Sequence, residues 1–259
     1  MIKVGVVGAS GRTGRCVLQA LRESDTCLLQ AAVVSPQSPQ RGHLVDGSAV
    51  VYSESLDVLR SCHVVIEFSN PMISVAVAQY CAEIGIPVLL ASTGHTHDQM
   101  VDIKRRAERI AIGLASNTSL GAAALSVLTR HAQQLLGPAF DIEVMEIHHK
   151  MKRDAPSGTA KTVIQGIENG ALVVFGREGR REQGEIGVAS LRGGDVAGDH
   201  TVYFLGHGER IEITHRVSTR EVFGRGALVL ATNLIGKSPG CYSPHDLLVL
   251  SKTRKNGHP

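Results

Sequence analysis

The chain has no tryptophan, and its aromatic content is only 3%. That leaves too few flat rings to stack on bases. A formal net charge of +3, from 27 basic and 24 acidic residues, is too small and too dispersed to grip a phosphate backbone. A nucleic-acid partner is not expected. No apolar run approaches the roughly 20 residues of a membrane span, and a strand pattern opens at Ile2 with no basic leader or cleavage site before it. The expectation is a cytoplasmic protein with no membrane partner. Cys16, Cys27, Cys62, Cys81 and Cys241 are odd in number, widely spaced and mostly set in apolar segments, without Cys-x-x-Cys or zinc-like spacing. They read as reduced core residues, and no metal site is expected. What is present, 259 residues with 43% hydrophobic and 20% charged side chains, suits one or two compact domains of a soluble enzyme.

The densest chemistry lies between His148 and Ala160, His-His-Lys-Met-Lys-Arg-Asp-Ala-Pro-Ser-Gly-Thr-Ala. An apolar run, Ile142 to Ile147, reads as a strand before it. Lys161 to Ile167 reads as a helix after it, with Ser157 or Thr159 near the cap. Imidazoles at a strand end and N–H groups at a helix start would then face one place, suited to an anion that is held and protonated. A lone histidine there would be a satisfied strand-end residue; His149, Lys152 and the turn beside it favour a catalytic His148. Lys150 and Arg153 read as solvated. Glu146 and Asp154 read as orienting their neighbours rather than as acid and base. His95, His97 and His215 have no metal-ligand spacing and read as loop or strand residues.

The second signal is at the N-terminus. Ile2 to Val7 is an apolar strand, followed by Gly8-Ala9-Ser10-Gly11-Arg12-Thr13-Gly14 and a helical pattern with Val17, Leu18 and Leu21 on one face. Gly8 permits a tight exit from the strand, Gly11 a close approach of pyrophosphate, and Gly14 close packing of helix on sheet. The turn points to a dinucleotide. The acid that would bind the adenosine ribose at the end of the next strand, Leu29 to Val34, is absent: the strand runs into Ser35, and the first acid downstream is Asp46. A 2′-phosphate would not be repelled, and Arg12, Ser35 and Arg41 could contact it. This favours NADPH, with NADH possible.

Strands at His63–Phe68, Pro87–Ala91 and Ile110–Ala115 alternate with helices at Ile73–Ile84 and His97–Glu108, which implies a Rossmann-like, doubly wound parallel sheet of the α/β class. Ligands of such sheets bind at the carboxyl ends of the strands. Three polar turns stand there: Phe68-Ser69-Asn70-Pro71, Ser92-Thr93-Gly94-His95 and Ser116-Asn117-Thr118-Ser119. Phe68, Ser92, Thr93, Gly94, Ser116, Asn117 and Thr118 are expected to line the nicotinamide half of the coenzyme. Beyond a long apolar helix, Leu120 to Leu136, strands at Leu172–Phe175, Ile186–Leu191, Thr201–Leu205 and Arg210–Arg216 predict a second, α+β domain with a mixed, partly antiparallel sheet. A helix over Phe223–Ile235 has a composition suited to docking on the first domain. The division expected is 1–118 plus 219–259 for dinucleotide binding, and 119–218 for substrate and oligomerisation. Lys252 to Pro259 reads as a frayed tail.

Taken together, Gly8 to Gly14, Glu146 to His149, Lys152 with Asp154 to Ala160, Arg192 to Val196 and Ile211 to Arg220 resemble the dihydrodipicolinate reductase family over nearly the whole chain. The His-His pair with Asp-Ala-Pro-Ser-Gly-Thr is the specific part; the glycine turn is common to many oxidoreductases. The resemblance implies hydride transfer from NAD(P)H to 4-hydroxy-tetrahydrodipicolinate, giving tetrahydrodipicolinate and water in lysine and diaminopimelate biosynthesis. It implies that His148 is the proton donor, Lys152 its cationic partner and His149 an aid to binding. Gly158 and Thr159 would hold a substrate carboxylate, Arg220 would approach the coenzyme, and the assembly would be a homotetramer. Two positions depart from the family: Thr118 stands where an aromatic residue is usual, and Ala91 where glycine is common. A different nicotinamide oxidoreductase would keep the first domain without needing the His-His and Pro-Ser-Gly-Thr pairing, and a dinucleotide sensor would bind coenzyme without turnover.

Overall fold

In a computed structural model, which describes residues 1–248, the N-terminal strand β1 (Ile2–Val7) leads through the glycine turn into α1 (Arg12–Arg22). The face of α1 that carries Gly14, Val17, Leu18 and Leu21 is buried, as the spacing predicts. There follow β2 (Cys27–Val33), β3 (Tyr52–Ser53), β4 (Val64–Glu67), α2 (Pro71–Ile84), β5 (Val88–Leu90), α3 (His97–Ala107) and β6 (Ala111–Leu114). The start of α2 lies two residues before the expected one. Asn70 caps it by accepting the Ile73 N–H, and Pro71 occupies the first turn, where no N–H is needed; Gly85 ends it at φ 72°. A capping box of Thr96 and Gln99 opens α3.

After Thr118 the chain forms α4 (Leu120–Leu136), β7 (Asp141–His148), α5 (Gly158–Ile167), β8 (Val173–Phe175), β9 (Ile186–Arg192), β10 (Asp199–Leu205) and β11 (Arg210–Arg216). The five strands lie in the order β11-β10-β7-β9-β8. β10 runs antiparallel to both β11 and β7, whereas β7, β9 and β8 are parallel, so the sheet is mixed as expected. Ile142, Val144, Val188, Val202 and Phe204 from the sheet pack with Leu125 of α4 and Val163, Ile164 and Ile167 of α5. Each such side chain contributes about 1.5–3 kcal/mol by leaving water.

The chain then continues as α6 (Glu221–Thr232), β12 (Gly240–Tyr242) and α7 (Pro244–Leu248). A Cβ at Gly224 would sit 2.2 Å from the Cys16 carbonyl oxygen, so a glycine is what lets α6 lie directly on α1. β12 pairs with β6 and completes a seven-stranded, wholly parallel sheet of order β12-β6-β5-β4-β1-β2-β3. The strand order reverses at β1, between β2 and β4, which places a ligand crevice at the carboxyl ends of β1 and β4. The described chain thus forms two units, Ser119–Val222 and Met1–Thr118 with the residues from Phe223 onward. The reading of Lys252 to Pro259 as a frayed tail falls outside the described residues.

The cysteine expectation needs one correction. Cys27, Cys62 and Cys81 are buried and Cys16 is half-buried, but Cys241, in the short strand β12, is exposed. Burial pushes the Cys62 thiol up to about 12, which makes it an inert core group.

Candidate active site

In β7 burial alternates from Ile142 onward, with Ile142, Val144, Glu146 and His148 turned inward. A period of two therefore carries an apolar face directly into a carboxylate and an imidazole. Across the sheet, Val188, Val144, Val202 and Ile213 form an apolar row, and the row two residues further along β7 reads Ser190, Glu146, His200, His215. One register step of the sheet thus exchanges a hydrocarbon core for a polar network.

Glu146 is 0% exposed, and its two oxygens face different partners. Oε2 accepts from Nδ1 of His148, and Oε1 accepts from Arg192 Nη2 at 2.8 Å. Burial alone would raise the carboxyl, but the hydrogen bonds from His148, Arg192 and Ser190 outweigh it and hold the group down to about 2. An ionised Glu146 that accepts the Nδ1–H fixes the ring of His148, itself 7% exposed, and leaves Nε2 as its other working atom. That nitrogen has room because residue 198 is glycine: a Cβ there would come within 2.9 Å of it. Arg192 also donates to the Asp154 carbonyl at 2.6 Å, and Gly193 N–H donates to the His148 carbonyl at 2.9 Å, so the Arg192-Gly193-Gly194 turn braces the loop that follows β7.

Within that loop His149 is half-buried, and its carbonyl accepts the Lys152 N–H at 3.0 Å. Lys152 Nζ lies 2.8 Å from Asp154 Oδ1. Burial tends to raise the Asp154 carboxyl, but this ammonium holds it below its usual range. Lys150 and Arg153 are exposed, in line with the solvated reading. Ser157 caps α5 by accepting the Ala160 N–H at 3.2 Å, and Gly158 and Thr159 are the first two helical residues, whose N–H groups point out of the helix end.

His200 was not anticipated. It is 3% exposed, its Nε2 is 2.9 Å from Ser157 Oγ, and its ring stands edge-on to His148 with centroids 5.1 Å apart. Burial above all, and then the charge of His148, push its imidazole down to about 4, so it is neutral at ordinary pH. Glu146, His148 and His200 each offer a ligand atom within 4.8 Å of the others. Both Glu146 oxygens are already engaged and one faces the Arg192 cation, so this group is charge-balanced as a hydrogen-bond network rather than as a divalent-metal site.

In the first unit the glycine turn meets the needs of a pyrophosphate. Gly8 has φ 77°, and a Cβ on it would fall 2.1 Å from the Phe68 carbonyl oxygen, so the turns after β1 and β4 abut where the strand order reverses. A Cβ on Gly14 would strike the Gly8 carbonyl at 2.2 Å. The caps of α2, α3, α4 and α5 all place a side-chain oxygen on a first-turn N–H; α1, capped by Gly11, has none, which leaves those N–H groups to an anion. Ala9 is buried, Ser10 Oγ is 3.3 Å from Ser38 Oγ, Arg12 is exposed at the first helical position, and Thr13 is half-buried. Ser35 is exposed just past β2, with no carboxylate beside it in the sequence, whereas Arg41 is paired with Glu54 at 2.6 Å. That ion pair counts against Arg41 as a phosphate ligand.

Glu67, the last residue of β4, was also missed. It is 0% exposed, and its Oε1 accepts from Ser69 N–H and Ser69 Oγ, both at 2.5 Å, and from Ser92 Oγ at 2.6 Å. One carboxylate oxygen therefore gathers the Phe68-Ser69 and Ser92-Thr93-Gly94 turns, with Gly94 at φ 89°. Thr118, in the place of the family's aromatic, is buried and donates to the Phe223 carbonyl at 2.8 Å; Ser116 is exposed and Asn117 half-buried beside it. Arg220 is exposed just before α6.

Two family models together span almost all of the chain: the N-terminal model of dihydrodipicolinate reductase matches residues 2–118 and the C-terminal model matches residues 121–248. The 4-hydroxy-tetrahydrodipicolinate reductase of Syntrophotalea carbinolica is 40% identical, over 96% of this chain and 100% of its own. That of Akkermansia muciniphila is 41% identical, over 97% and 100%. Among solved structures, dipicolinate-bound dihydrodipicolinate reductase from Paenisporosarcina sp. TG-14 superposes with a TM-score of 0.77 at 20% identity, covering 96% of this chain and 100% of that one. A probable dehydrogenase from Thermotoga maritima follows with a TM-score of 0.68 at 12% identity, over 95% and 92%. At such low identity these two speak for the fold.

Proposed function

The chain belongs to the dihydrodipicolinate reductase family, and from that premise we propose that it reduces 4-hydroxy-tetrahydrodipicolinate to tetrahydrodipicolinate, with NADPH preferred to NADH. The net reaction consumes substrate, NAD(P)H and one proton and releases tetrahydrodipicolinate, NAD(P)+ and water. The bound coenzyme supplies the hydride. The residues of the chain hold the partners and manage the proton.

Loss of the 4-hydroxyl with a ring proton, as water, first leaves an unsaturated ring; after hydride adds to it, His148 gives the consumed proton from Nε2 to the adjacent ring carbon left electron-rich, and recovers one from solvent. Glu146 keeps Nδ1–H occupied, so the ring cannot turn its working nitrogen away. Lys152 lies close to a substrate carboxylate and offsets the negative charge that develops on the ring. His149 assists in binding. The N–H groups of Gly158 and Thr159, with the Thr159 hydroxyl, take a carboxylate at the start of α5. Gly8 to Gly14 receive the pyrophosphate. Phe68, the Ser92-Thr93-Gly94 turn and Ser116 to Thr118 line the nicotinamide half, and Arg220 reaches toward the coenzyme. NADPH is favoured because nothing acidic follows β2, where Ser35 is exposed, and Arg12 opens α1. We place the enzyme in the cytoplasm as a homotetramer, serving lysine and diaminopimelate synthesis.

The observation that carries this reading is the buried Glu146–His148 pair at the end of β7, with Lys152 and the start of α5 in the same unit. The test follows nicotinamide absorbance while substrate is generated in place from pyruvate and aspartate semialdehyde by the preceding synthase. Substrate-dependent oxidation, faster with NADPH than with NADH, is expected; binding of coenzyme without oxidation would overturn the proposal. His148→Gln should lower turnover by roughly 10²–10⁴-fold with coenzyme affinity kept. Lys152→Ala should lower turnover and raise KM together. Equal losses of coenzyme affinity in both variants would contradict these roles.

A further inference from the structure

We infer that His200 is a positioning residue for the proton-transfer step: an imidazole that seats the ring of His148 from its edge and, through Ser157, ties it to the start of α5. The inference rests on the reading of His148 as proton donor and of Gly158 and Thr159 as a carboxylate site, and it concerns a residue to which that reading gives no part.

Three observations converge. First, register: His200 lies directly across from Glu146 in the antiparallel pairing of β10 with β7, in the inward phase it shares with Val202 and Phe204. It therefore cannot leave without breaking a core strand. Second, contact on both sides: its ring meets His148 at 5.1 Å and 76°, an edge-to-face arrangement, while Nε2 is 2.9 Å from the same Ser157 Oγ that caps α5. Third, the space around Nε2 of His148 is bounded by the same segment, since a Cβ at Gly198 would approach that nitrogen to 2.9 Å and His200 Cε1 to 3.7 Å. Glu146 fixes the His148 ring at Nδ1, which still permits tilting about that hydrogen bond. The edge of His200 opposes the tilt.

Charge explains why this neighbour is a histidine that remains neutral. The groups facing it are Glu146 and His148 on β7, His215 on β11 and Lys152 in the loop after β7. With Glu146 already shared by His148 and Arg192, a second imidazolium would be an unpaired buried cation beside the proton donor. A phenyl ring could pack similarly but could not bond Ser157, and a glutamine could bond Ser157 but offers no ring edge.

Those two replacements separate the roles. His200→Gln, which can keep the Ser157 hydrogen bond, should lower kcat roughly tenfold, with KM within about twofold and an enlarged solvent deuterium isotope effect on kcat, because a misaligned donor makes proton transfer slower. His200→Phe, which keeps a ring on His148, should retain kcat within about threefold and raise KM roughly tenfold as α5 loses the support of its cap. Coenzyme dissociation constants should not move in either variant. On the native protein, imidazole ¹⁵N shifts should show His200 neutral throughout pH 5 to 8, a measurement that needs no variant to fold. Unchanged kcat and isotope effect in His200→Gln, or a His200 that protonates near pH 6.5, would overturn the inference. Undiminished turnover in His148→Gln would remove the donor itself, and thereby mark failure of the underlying reading rather than of the seat alone.

Discussion

At the scale of single residues, two buried carboxylates, one in each unit, have opposite surroundings. Glu67 collects three donors on one oxygen and acts as a clasp between two turns. Glu146 splits its oxygens between an imidazole and a guanidinium and acts as a charge partner. Glu146→Gln should therefore cost more than a hydrogen bond: it removes the anion that faces the buried His148 and the half-buried Arg192. Turnover is expected to fall about a hundredfold with coenzyme affinity intact. The same substitution has a signature in stability. Because the folded Glu146 carboxyl titrates at about 2, below the ordinary 4.5, its contribution is complete above pH 4.5 and is lost as pH falls toward 2, at most about 3 kcal/mol. His200, held at about 4 against an ordinary 6.5, makes stability fall earlier, from pH 6.5 down to 4. Urea midpoints measured from pH 7 to 2.5 should show both windows in the native protein and a shallower lower one in Glu146→Gln, where carboxylates such as Asp154 still contribute. A lower window of undiminished depth would show that Glu146 is not the group responsible.

Among the elements, α5 would join the proposed carboxylate site to the scaffold. Its cap is shared between a helix and the Glu146–His148–His200 cluster, so Ser157→Ala should act twice, lowering stability by about 1 kcal/mol through the lost cap and raising KM several-fold through the loosened helix start. A stability loss with KM unchanged would separate the cap from binding. The same elements show how far sequence carries. Long periodic segments such as α4 and β11 are legible to the residue, because many side chains vote for one face. β3 and β12, two and three residues long, are held by pairing with neighbours distant in sequence and have too few side chains for any period. Boundaries matter more than existence for the site. An expected start of β10 at Thr201, where the strand begins at Asp199, left His200 in a loop and out of consideration. Read as part of the strand, His200 alternates with Val202 and Phe204 and opposes Glu146, a pairing that single-sequence reasoning cannot see before the strand order is known. Glu67 was hidden similarly: it ends an apolar strand, and its three donors come from turns brought together only by the sheet.

For the molecule as a whole, a net charge of +3 on 259 residues provides little long-range field, so a dicarboxylate drawn to the proposed site would rely on local cations such as Lys150, Lys152 and Arg153. Assembly is the other property of the whole. The sheet of the second unit ends on one side in the three-residue β8 and on the other in the seven-residue β11, most of whose side chains are exposed. An open edge of that length invites pairing with another chain. Its charges are already satisfied locally, Arg210 by Glu212 at 2.7 Å and Arg216 by Asp199 at 3.7 Å, which discourages indiscriminate association, while Ile211 remains 41% exposed between them. If β11 is the assembly edge of the proposed tetramer, light scattering at micromolar concentration should report about 110 kDa for chains of 27.6 kDa. Ile211→Lys should then shift the mass toward smaller species, because a buried unpaired ammonium costs several kcal/mol in a dry interface, while coenzyme binding by each chain persists. A native mass of a single chain would exclude the tetramer, and a tetramer indifferent to Ile211→Lys would move the interface away from this edge.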